Sequence, residues 1–230
     1  MNRCQRWTPA LLVTVLFAVP MTSNAEPQSA TIGVAASITP SAERGTGTVF
    51  RTLATGSELH ANETVRTGDA GKADLVFIDR TNLTVGPTSE VVLDKFVYDP
   101  VGNKGKVVVQ TTRGAFRFVT GTQDHSAYQI NTPYGSLGVR GTAFTCEVKP
   151  KEQKRPIGGC DVKCKIESGS IDVTSQRGEK KRAGPGDTVC LADHISVASA
   201  GGPPSAVQPE AGPGTGGCVP KQTPVVIPCQ

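Results

Sequence analysis

Short apolar segments that end in turn-forming residues dominate this sequence and most constrain its fold. From about residue 45 to residue 198, runs rich in Val, Phe, Ile and Thr alternate with Gly, Asn, Asp and Pro. Runs of this length and spacing are typical of an all-β domain. The 26 glycines and 17 prolines interrupt nearly every candidate helix. We therefore predict a single all-β domain of many short strands, arranged as a twisted sandwich or in a solenoid-like way.

The first 25 residues have the pattern of a cleavable secretory signal. Arg3 and Arg6 precede an apolar run from Ala10 to Val19, and small residues follow up to Ala25. The apolar run is shorter than the roughly 20 residues that a membrane-spanning helix needs. The sequence predicts cleavage near Ala25/Glu26, a periplasmic or secreted mature chain, and no membrane span after cleavage.

Composition divides the remainder of the chain into three parts. Residues 26–44 are small and polar and are predicted to be a leader or a first weak strand, and residues 45–198 form the predicted β domain. Residues 199–230 are rich in Gly and Pro and are predicted to be a flexible tail. Without the signal, 22 basic residues face 20 acidic ones. So small a net charge argues against a nucleic-acid partner.

Cysteines are even in number in the predicted mature chain, which favours disulfides in an oxidising compartment. The sequence leaves their connectivity open, apart from the prediction that Cys218 and Cys229, which are close in sequence, close a loop in the tail. A zinc hydrolase site made of Cys160, Cys164 and His194 or His125 is the less favoured alternative, because no second pair of ligands follows at metal-site spacing. The disulfide candidates are Cys146, Cys160, Cys164, Cys190, Cys218 and Cys229.

Three spaced glycines, Gly135, Gly138 and Gly141, raise the question of a phosphate-binding loop. Such a loop works because it leads into a helix whose free N–H groups face the anion. Here a strand-like segment, TAFTCEV, follows Gly141, and no Gly-Lys-Ser/Thr ending is present. We predict that the three glycines bend a β framework and bind no anion. No cofactor is expected.

No combination of residues points to catalysis. Asp124, His125 and Ser126 have the residue types of a serine hydrolase, but adjacent residues cannot converge as a working triad does. The acidic residues mostly follow turns, where carboxylates cap backbone N–H groups. We expect a protein that is not an enzyme. These turn acids are Asp69, Asp79, Asp94, Asp99 and Asp187.

Several ordered motifs together resemble the FecR-type domain, a family named after a periplasmic ferric-citrate regulator. The resemblance covers roughly residues 45–197 and rests on Thr67-Gly68, Phe77–Leu83, Gly86–Leu93, Gly114–Phe118, and Thr132-Pro133 with Gly141-Thr142. It implies structural rather than catalytic roles for the motif residues. These are Gly68, Asp79, Gly86, Pro87, Gly114, Thr132, Pro133, Gly138, Gly141 and Thr142.

The chain departs from the family pattern at two places. Arg80 stands where the family has a glycine, and we predict that Asn82 supplies the left-handed conformation of that turn instead. The four cysteines from Cys146 to Cys190 are additional and indicate disulfide reinforcement of the last hairpins. Signalling members of the family carry a cytoplasmic segment and a membrane helix, where this chain has a predicted signal. We therefore expect the stand-alone exported form.

The resemblance implies a non-enzymatic role in protein interaction, signal relay or scaffolding in the bacterial envelope. The expected partner is an unidentified envelope protein or glycan. The alternative is a binding module for an envelope polysaccharide or a small ligand. That module would use the sheet face or the rings of Tyr98, Tyr128 and Tyr134 as stacking platforms.

Overall fold

A computed structural model describes residues 30–98, 105–124, 126–154 and 159–199. These residues form strands joined by turns, bends and irregular segments, so the all-β prediction is confirmed. No helix that could cross a membrane occurs in these four ranges. The strands are β1 (Thr31–Thr39), β2 (Ala42–Thr46), β3 (Val49–Leu53), β4 (Glu58–His60), β5 (Thr64–Thr67), β6 (Lys72–Phe77), β7 (Asn82–Val85), β8 (Glu90–Val97), β9 (Lys106–Val119), β10 (Tyr128–Thr132), β11 (Gly135–Val148), β12 (Val162–Ser175), β13 (Lys180–Ala183), β14 (Asp187–Leu191) and β15 (Ile195–Ser199).

One continuous mixed sheet folds over into two layers because β9, β11 and β12 each pass from one layer to the other. In β9, residues 106–113 pair with β8 and β10, whereas residues 114–119 pair with β7 and β11. We name the layers A and B. Layer A has the order β4-β1-β6-β7-β9-β11-β12-β14-β15, and layer B has the order β3-β2-β5-β8-β9-β10-β11-β12-β13.

The chain alternates between the layers while it advances along both of them. Strands β1 to β4 form one end, and β13 to β15 form the other. The arrangement thus combines the two predicted architectures. The two layers pack as a sandwich, and successive strands are added along both layers as in a solenoid. Among the strand pairs of the described residues, only β9–β10 is parallel.

Glycines with positive φ allow the three shared strands to change layer. Gly114, Gly141 and Gly169 have φ values of 92°, 57° and 70°. A Cβ at Gly114 would lie 2.1 Å from Oγ of Ser89, and one at Gly169 would lie 2.2 Å from the carbonyl oxygen of Gly141. Side chains are excluded at Gly114 and Gly169 both by backbone conformation and by close packing, and they are disfavoured at Gly141 by backbone conformation.

The core lies between the two layers and is formed by side chains that alternate along the strands. Aromatic rings join the layers: Phe77 stacks on Phe96 with 5.5 Å between centroids, and Phe118 meets Tyr128 edge to face at 6.0 Å. Phe144 lies beside Phe118 at 5.9 Å. All of these rings except that of Phe96 are at most 3% exposed, so they anchor the sandwich.

Residues 26–44 were predicted to be a leader or a first weak strand, and the described part of this segment agrees with the strand alternative, because residues 31–39 form β1 and residues 42–44 begin β2. β1 lies between β4 and β6, and Ile32 and Ala35 are buried. A Cβ on Gly33 would lie 2.4 Å from the carbonyl oxygen of Val76. Small residues permit this close approach, and a bulge between Ala35 and Ser37 hides the strand alternation in the sequence. The predicted signal lies outside the described residues, as does the predicted tail apart from Ser199, which ends β15.

Candidate functional site

The motif residues of the Thr-Gly step, the Gly-Pro turn and the Gly114 strand meet at one bend. Oγ1 of Thr67 donates to the carbonyl oxygen of Gly86 at 2.6 Å and accepts from the N–H of Ser89 at 3.0 Å. Thr88 N–H, just after Pro87, donates to the Gly68 carbonyl at 2.9 Å. The Ser89 hydroxyl then donates to the Ala115 carbonyl, next to Gly114, at 3.0 Å. The structure places these residues in a turn that supports the bend.

The Asp79 turn forms a second motif cluster, and it is buried. Asp79 is 0% exposed and accepts hydrogen bonds from Thr81 N–H at 2.9 Å, Thr81 Oγ1 at 2.7 Å and the Tyr128 hydroxyl at 3.0 Å. Arg80 itself adopts the left-handed conformation, with φ of 68°. The prediction that Asn82 takes this conformation is therefore wrong. The turn keeps its shape because the side chain of Asp79, before Arg80, accepts hydrogen bonds from the backbone and the hydroxyl of Thr81, after Arg80.

The three glycines predicted to act together have three different surroundings. Gly141 has positive φ and forms the bend of β11, where Thr142 Oγ1 donates to the Ser170 carbonyl at 2.8 Å. A Cβ on Gly135 would lie 2.3 Å from the carbonyl oxygen of Thr174. Gly138 has neither feature, since its nearest neighbour would be 3.7 Å from an added Cβ. The prediction that all three glycines bend the framework is therefore corrected. Gly141 forms a bend, Gly135 allows two strands to approach closely, and Gly138 has room for a Cβ.

Four of the predicted disulfide cysteines form two bridges. Cys146 and Cys164 lie opposite each other on β11 and β12, and Cys160 pairs with Cys190 of β14. Cys160 and Cys164 are therefore not available to a zinc ion, and the site with His194 is not formed. No metal-binding cluster of His, Cys, Asp or Glu occurs in the described ranges. Cys218 and Cys229 lie outside the described residues.

Other candidates from the sequence have local structural roles. Asp124 accepts hydrogen bonds from the backbone N–H and the hydroxyl of Ser126, at 2.8 Å and 2.6 Å, which is a turn-capping arrangement. His125 lies outside the described residues, as does Asp99. Among the predicted stacking platforms, Tyr128 is buried, and the Tyr134 ring lies beneath Nζ of Lys149 at 5.3 Å. Only Tyr98 is exposed, so the three-ring platform is not formed.

Thr132 and Pro133 begin the turn between β10 and β11, and this turn borders the outer side of layer B. Oγ1 of Thr132 donates to the carbonyl of Gly135 at 2.9 Å and accepts from its N–H at 3.1 Å. Beyond this turn, inward side chains such as Ile130 and Leu137 are buried, so their neighbours along each strand point outward. We call this outward surface the polar face. It consists of Gln110, Gln129, Asn131, Ser136, Gly138 and Thr174.

Strand pairing aligns the polar face in two rows across the layer. Gln110 is paired with Asn131, which is paired with Ser136. Ser136 is paired in turn with Thr174, and Thr174 with Lys180. The second row runs from Val108 through Gln129 and Gly138 to Asp172 and Arg182. Apart from Val108 and the charged residues at its edge, the polar face is therefore a regular surface of amides and hydroxyls.

Two depressions lie on the polar face, one on each side of β11. The first has a volume of about 450 Å³, and Asn131, Pro133, Pro150, Lys151 and other residues line it. The second also has a volume of about 450 Å³. Its lining consists of Asp172, Thr174, Lys180, Lys181 and Arg182. Sequence reasoning missed both, because the register that aligns these strands is not visible in the sequence.

The wall of the first depression is held in place at its base. Lys149 Nζ lies 2.7 Å from Oδ1 of Asp161, and Asp161 N–H donates to the carbonyl of Leu191. This ion pair raises the pKa of Lys149, chiefly through the hydrogen bond to Asp161. Together with the Cys160–Cys190 bridge, the pair ties the segment around Pro150 to β14.

Charged clusters border the polar face at both ends. Glu90 is 2.9 Å from Arg66 and 3.4 Å from Arg113. At the other end Asp172 is bound by Arg182 at 2.6 Å and by Arg140 at 2.8 Å. The hydrogen bond from Arg182, followed by that from Arg140, lowers the pKa of Asp172 despite the opposing effect of burial.

Residues 63–157 match the family model described as FecR protein, which confirms the resemblance for that part of the chain. No curated protein sequence matches the chain. Two crystal structures of a candidate anti-sigma factor from Parabacteroides distasonis are similar, at 11% sequence identity and TM-scores of 0.46 and 0.45. Each comparison covers 59% of this chain and 59% of the other. The chain thus spans about three fifths of those structures.

Proposed function

We propose that this chain is an exported, non-catalytic FecR-type module that binds a partner in the bacterial envelope, in a signal-relay or scaffold role. The FecR match over residues 63–157 carries the proposal. The motif residues around Asp79, Ser89 and Gly114 support it, because their polar groups are satisfied inside turns and bends. These residues stabilise the framework of strands and turns. We therefore assign binding to the outer surface of the protein.

Export is supported by the chemistry of the cysteines. The Cys146–Cys164 and Cys160–Cys190 bridges require an oxidising environment to form and persist. The charged start of the sequence and the apolar run after it have the order expected of a cleaved signal. Both features agree with a mature chain that works outside the cytoplasm.

The test combines localisation with partner capture. We expect the mature protein, expressed in its native host with a C-terminal tag, to begin near Glu26 by mass spectrometry and to fractionate with the periplasm or medium. Crosslinking in intact cells should then enrich one envelope component over an exported, tagged control protein. A full-length chain that retains residues 1–25 in the cytosol with reduced cysteines would contradict the proposal. Recovery of no component above the control would contradict the binding role.

A further inference from the structure

We propose that the polar face binds an acidic, hydroxyl-rich oligosaccharide that lies across strands β9 to β13. This inference rests on the proposed binding function and names the class of ligand. Four strand spacings separate β9 from β13, or about 19 Å. The two depressions flank β11 within that span, and each has a volume of about 450 Å³. A short linear polymer can fill both only if it crosses β11.

Gly138 leaves that crossing open, and the fold does not require a glycine there. Its φ is not positive, and an added Cβ would make only ordinary contacts with Asp172, at 3.7 Å. By contrast, Gly114 and Gly135 are excluded from carrying a side chain by contacts of 2.1 Å and 2.3 Å. A glycine inside a strand often marks a place where a ligand approaches the backbone closely. Gly138 and its neighbour Ser136 therefore form the floor between the depressions.

The side chains of the polar face offer the donors and acceptors that sugar hydroxyls use. The Gln129 side-chain amide donates to the Asn131 side-chain carbonyl at 2.8 Å. Within the described residues, this leaves the Asn131 amide nitrogen and the Gln129 side-chain oxygen without a protein partner. The Gln110 amide donates to Asp94 at 2.8 Å, which orients its carbonyl oxygen as an acceptor. Paired amides of this kind match vicinal hydroxyls.

The charge of the second depression favours an acidic ligand. Lys180, Lys181 and Arg182 line it together with one carboxylate, that of Asp172. Asp172 is already bound by Arg182 and Arg140, so it repels an incoming anion less than a free carboxylate does. Lys180 and, in the first depression, Lys151 have no ion pair within the described part of the chain. The first depression has two carboxylates, those of Glu90 and Glu152, beside Arg113 and Lys151, so the attraction for a carboxylate of the ligand comes mainly from the second depression.

The lining of the depressions disfavours the other polymers that carry negative charge. Protein interfaces depend on buried aromatic and aliphatic anchors, yet the exposed large apolar residues among those described, such as Val49 and Ile78, lie outside both depressions. Single-stranded nucleic acids require aromatic rings for base stacking, and no aromatic residue lines either depression.

The test is calorimetric titration of the purified mature protein with a tetrasaccharide prepared from alginate, whose sugars all carry carboxylates. Dextran of similar length serves as the neutral comparison, poly-glutamate as the acidic peptide, and oligo-dT as the nucleic acid. We expect binding of the alginate fragment alone, weakening as salt screens the ammonium groups. Gly138→Val and Lys180→Glu should each weaken this binding at least tenfold.

Two matched variants on layer A act as controls. Ser196→Val adds a branched side chain at an exposed position of β15, and Lys163→Glu reverses a charge at an exposed position of β12. Both should bind the alginate fragment like the unaltered protein. Circular dichroism and melting temperatures must show that all four variants fold, and an unfolded Gly138→Val is replaced by Ser136→Val.

Each contrary outcome identifies what has failed. Four outcomes would each overturn the inference. These are equal binding of poly-glutamate or oligo-dT, equal binding of dextran, absence of alginate binding, and full binding by both layer B variants. The proposed function is tested separately by the capture experiment in cells. An envelope protein recovered there, with no alginate binding here, would leave that function standing and remove this ligand.

Discussion

The hydroxyl of Tyr128 donates a hydrogen bond to Oδ2 of Asp79 across 3.0 Å, deep inside the protein. Asp79 is fully buried and Tyr128 is 2% exposed. The same hydroxyl accepts from the backbone N–H of Gln123 at 3.0 Å. Tyr128 therefore joins the Asp79 turn of layer A to the loop that precedes β10 in layer B. A family-motif turn thus depends on a residue 49 positions away in the sequence.

Tyr128→Phe should destabilise the protein by about 1–3 kcal/mol, because it leaves a buried carboxylate short of one donor. The phenylalanine ring keeps the apolar contact with Phe118, so the loss reports mainly the hydrogen bonds. Urea unfolding followed by circular dichroism measures the change. Tyr98→Phe, at an exposed position, is the matched control and should leave the unfolding midpoint unchanged. A Tyr128→Phe protein as stable as the parent would refute the importance of this link.

Stability should also fall at alkaline pH because of Tyr128. Burial is the main cause that raises its pKa to about 12, from the ordinary value of 10.0. The folded state holds this proton more tightly than the unfolded chain, so the contribution is fully present below pH 10.0 and is lost as pH rises toward about 12. Melting temperatures measured from pH 9 to 12 should decline more steeply for the parent than for Tyr128→Phe. Parallel curves would contradict this assignment.

Arg80→Gly should stabilise the protein by about 1 kcal/mol. Arg80 has φ of 68°, a conformation that costs a residue with a Cβ roughly 1–2 kcal/mol. Glycine removes that cost, but its greater conformational freedom in the unfolded chain offsets part of the gain in stability. Arg80→Ala keeps the Cβ and should not stabilise. Chemical denaturation of the two variants distinguishes relief of backbone strain from loss of the arginine charge.

Alanine substitutions at two glycines should have opposite effects. Gly114→Ala forces a Cβ against Ser89 at a positive φ and should cost more than about 2 kcal/mol of folding free energy. Gly138→Ala meets no close contact and should be neutral or stabilising by up to about 1 kcal/mol. Thermal unfolding measured side by side gives the comparison. Equal losses at both positions would mean that Gly138 is needed for packing.

The two disulfides should contribute separately to stability. Replacing both cysteines of either bridge with alanine should cost about 2–4 kcal/mol, since each bridge restricts the unfolded chain. Sequence separations of 18 and 30 residues predict a slightly larger effect for Cys160–Cys190. Peptide mapping of the non-reduced protein checks the pairing. Fragments that join Cys146 to Cys160 would contradict it.

Local patterns were sufficient to predict the class of fold, but not the contacts between distant strands. Alternation and turn residues identify strands such as β6 and β9 because those signals lie within a few residues of each other. β1 was obscured by its small residues and its bulge. The left-handed residue at the Asp79 turn was misassigned to Asn82 because general residue preference favours Asn over Arg, whereas Asp79 imposes the conformation on Arg80.

The polar face was not predictable for a related reason. Gln110, Asn131, Ser136 and Thr174 are unremarkable when each is viewed in its own segment. They become neighbours only through the pairing of β9, β10, β11 and β12. The openness of Gly138 likewise depends on Asp172, which lies 34 positions further along the sequence. The sequence motifs identify residues that stabilise the framework, whereas the pairing register of the strands creates the polar face.

Because β12 crosses both layers, the smallest autonomously folding unit must be larger than the segment recognised by the family match. That segment ends at residue 157, before β12 begins, and starts at residue 63, after β1 to β4. A fragment trimmed to those limits would leave β11 unpaired along one side and Cys146 with a free thiol. Expression boundaries for proteins of this kind are therefore better set by where the sheet ends than by where sequence similarity fades.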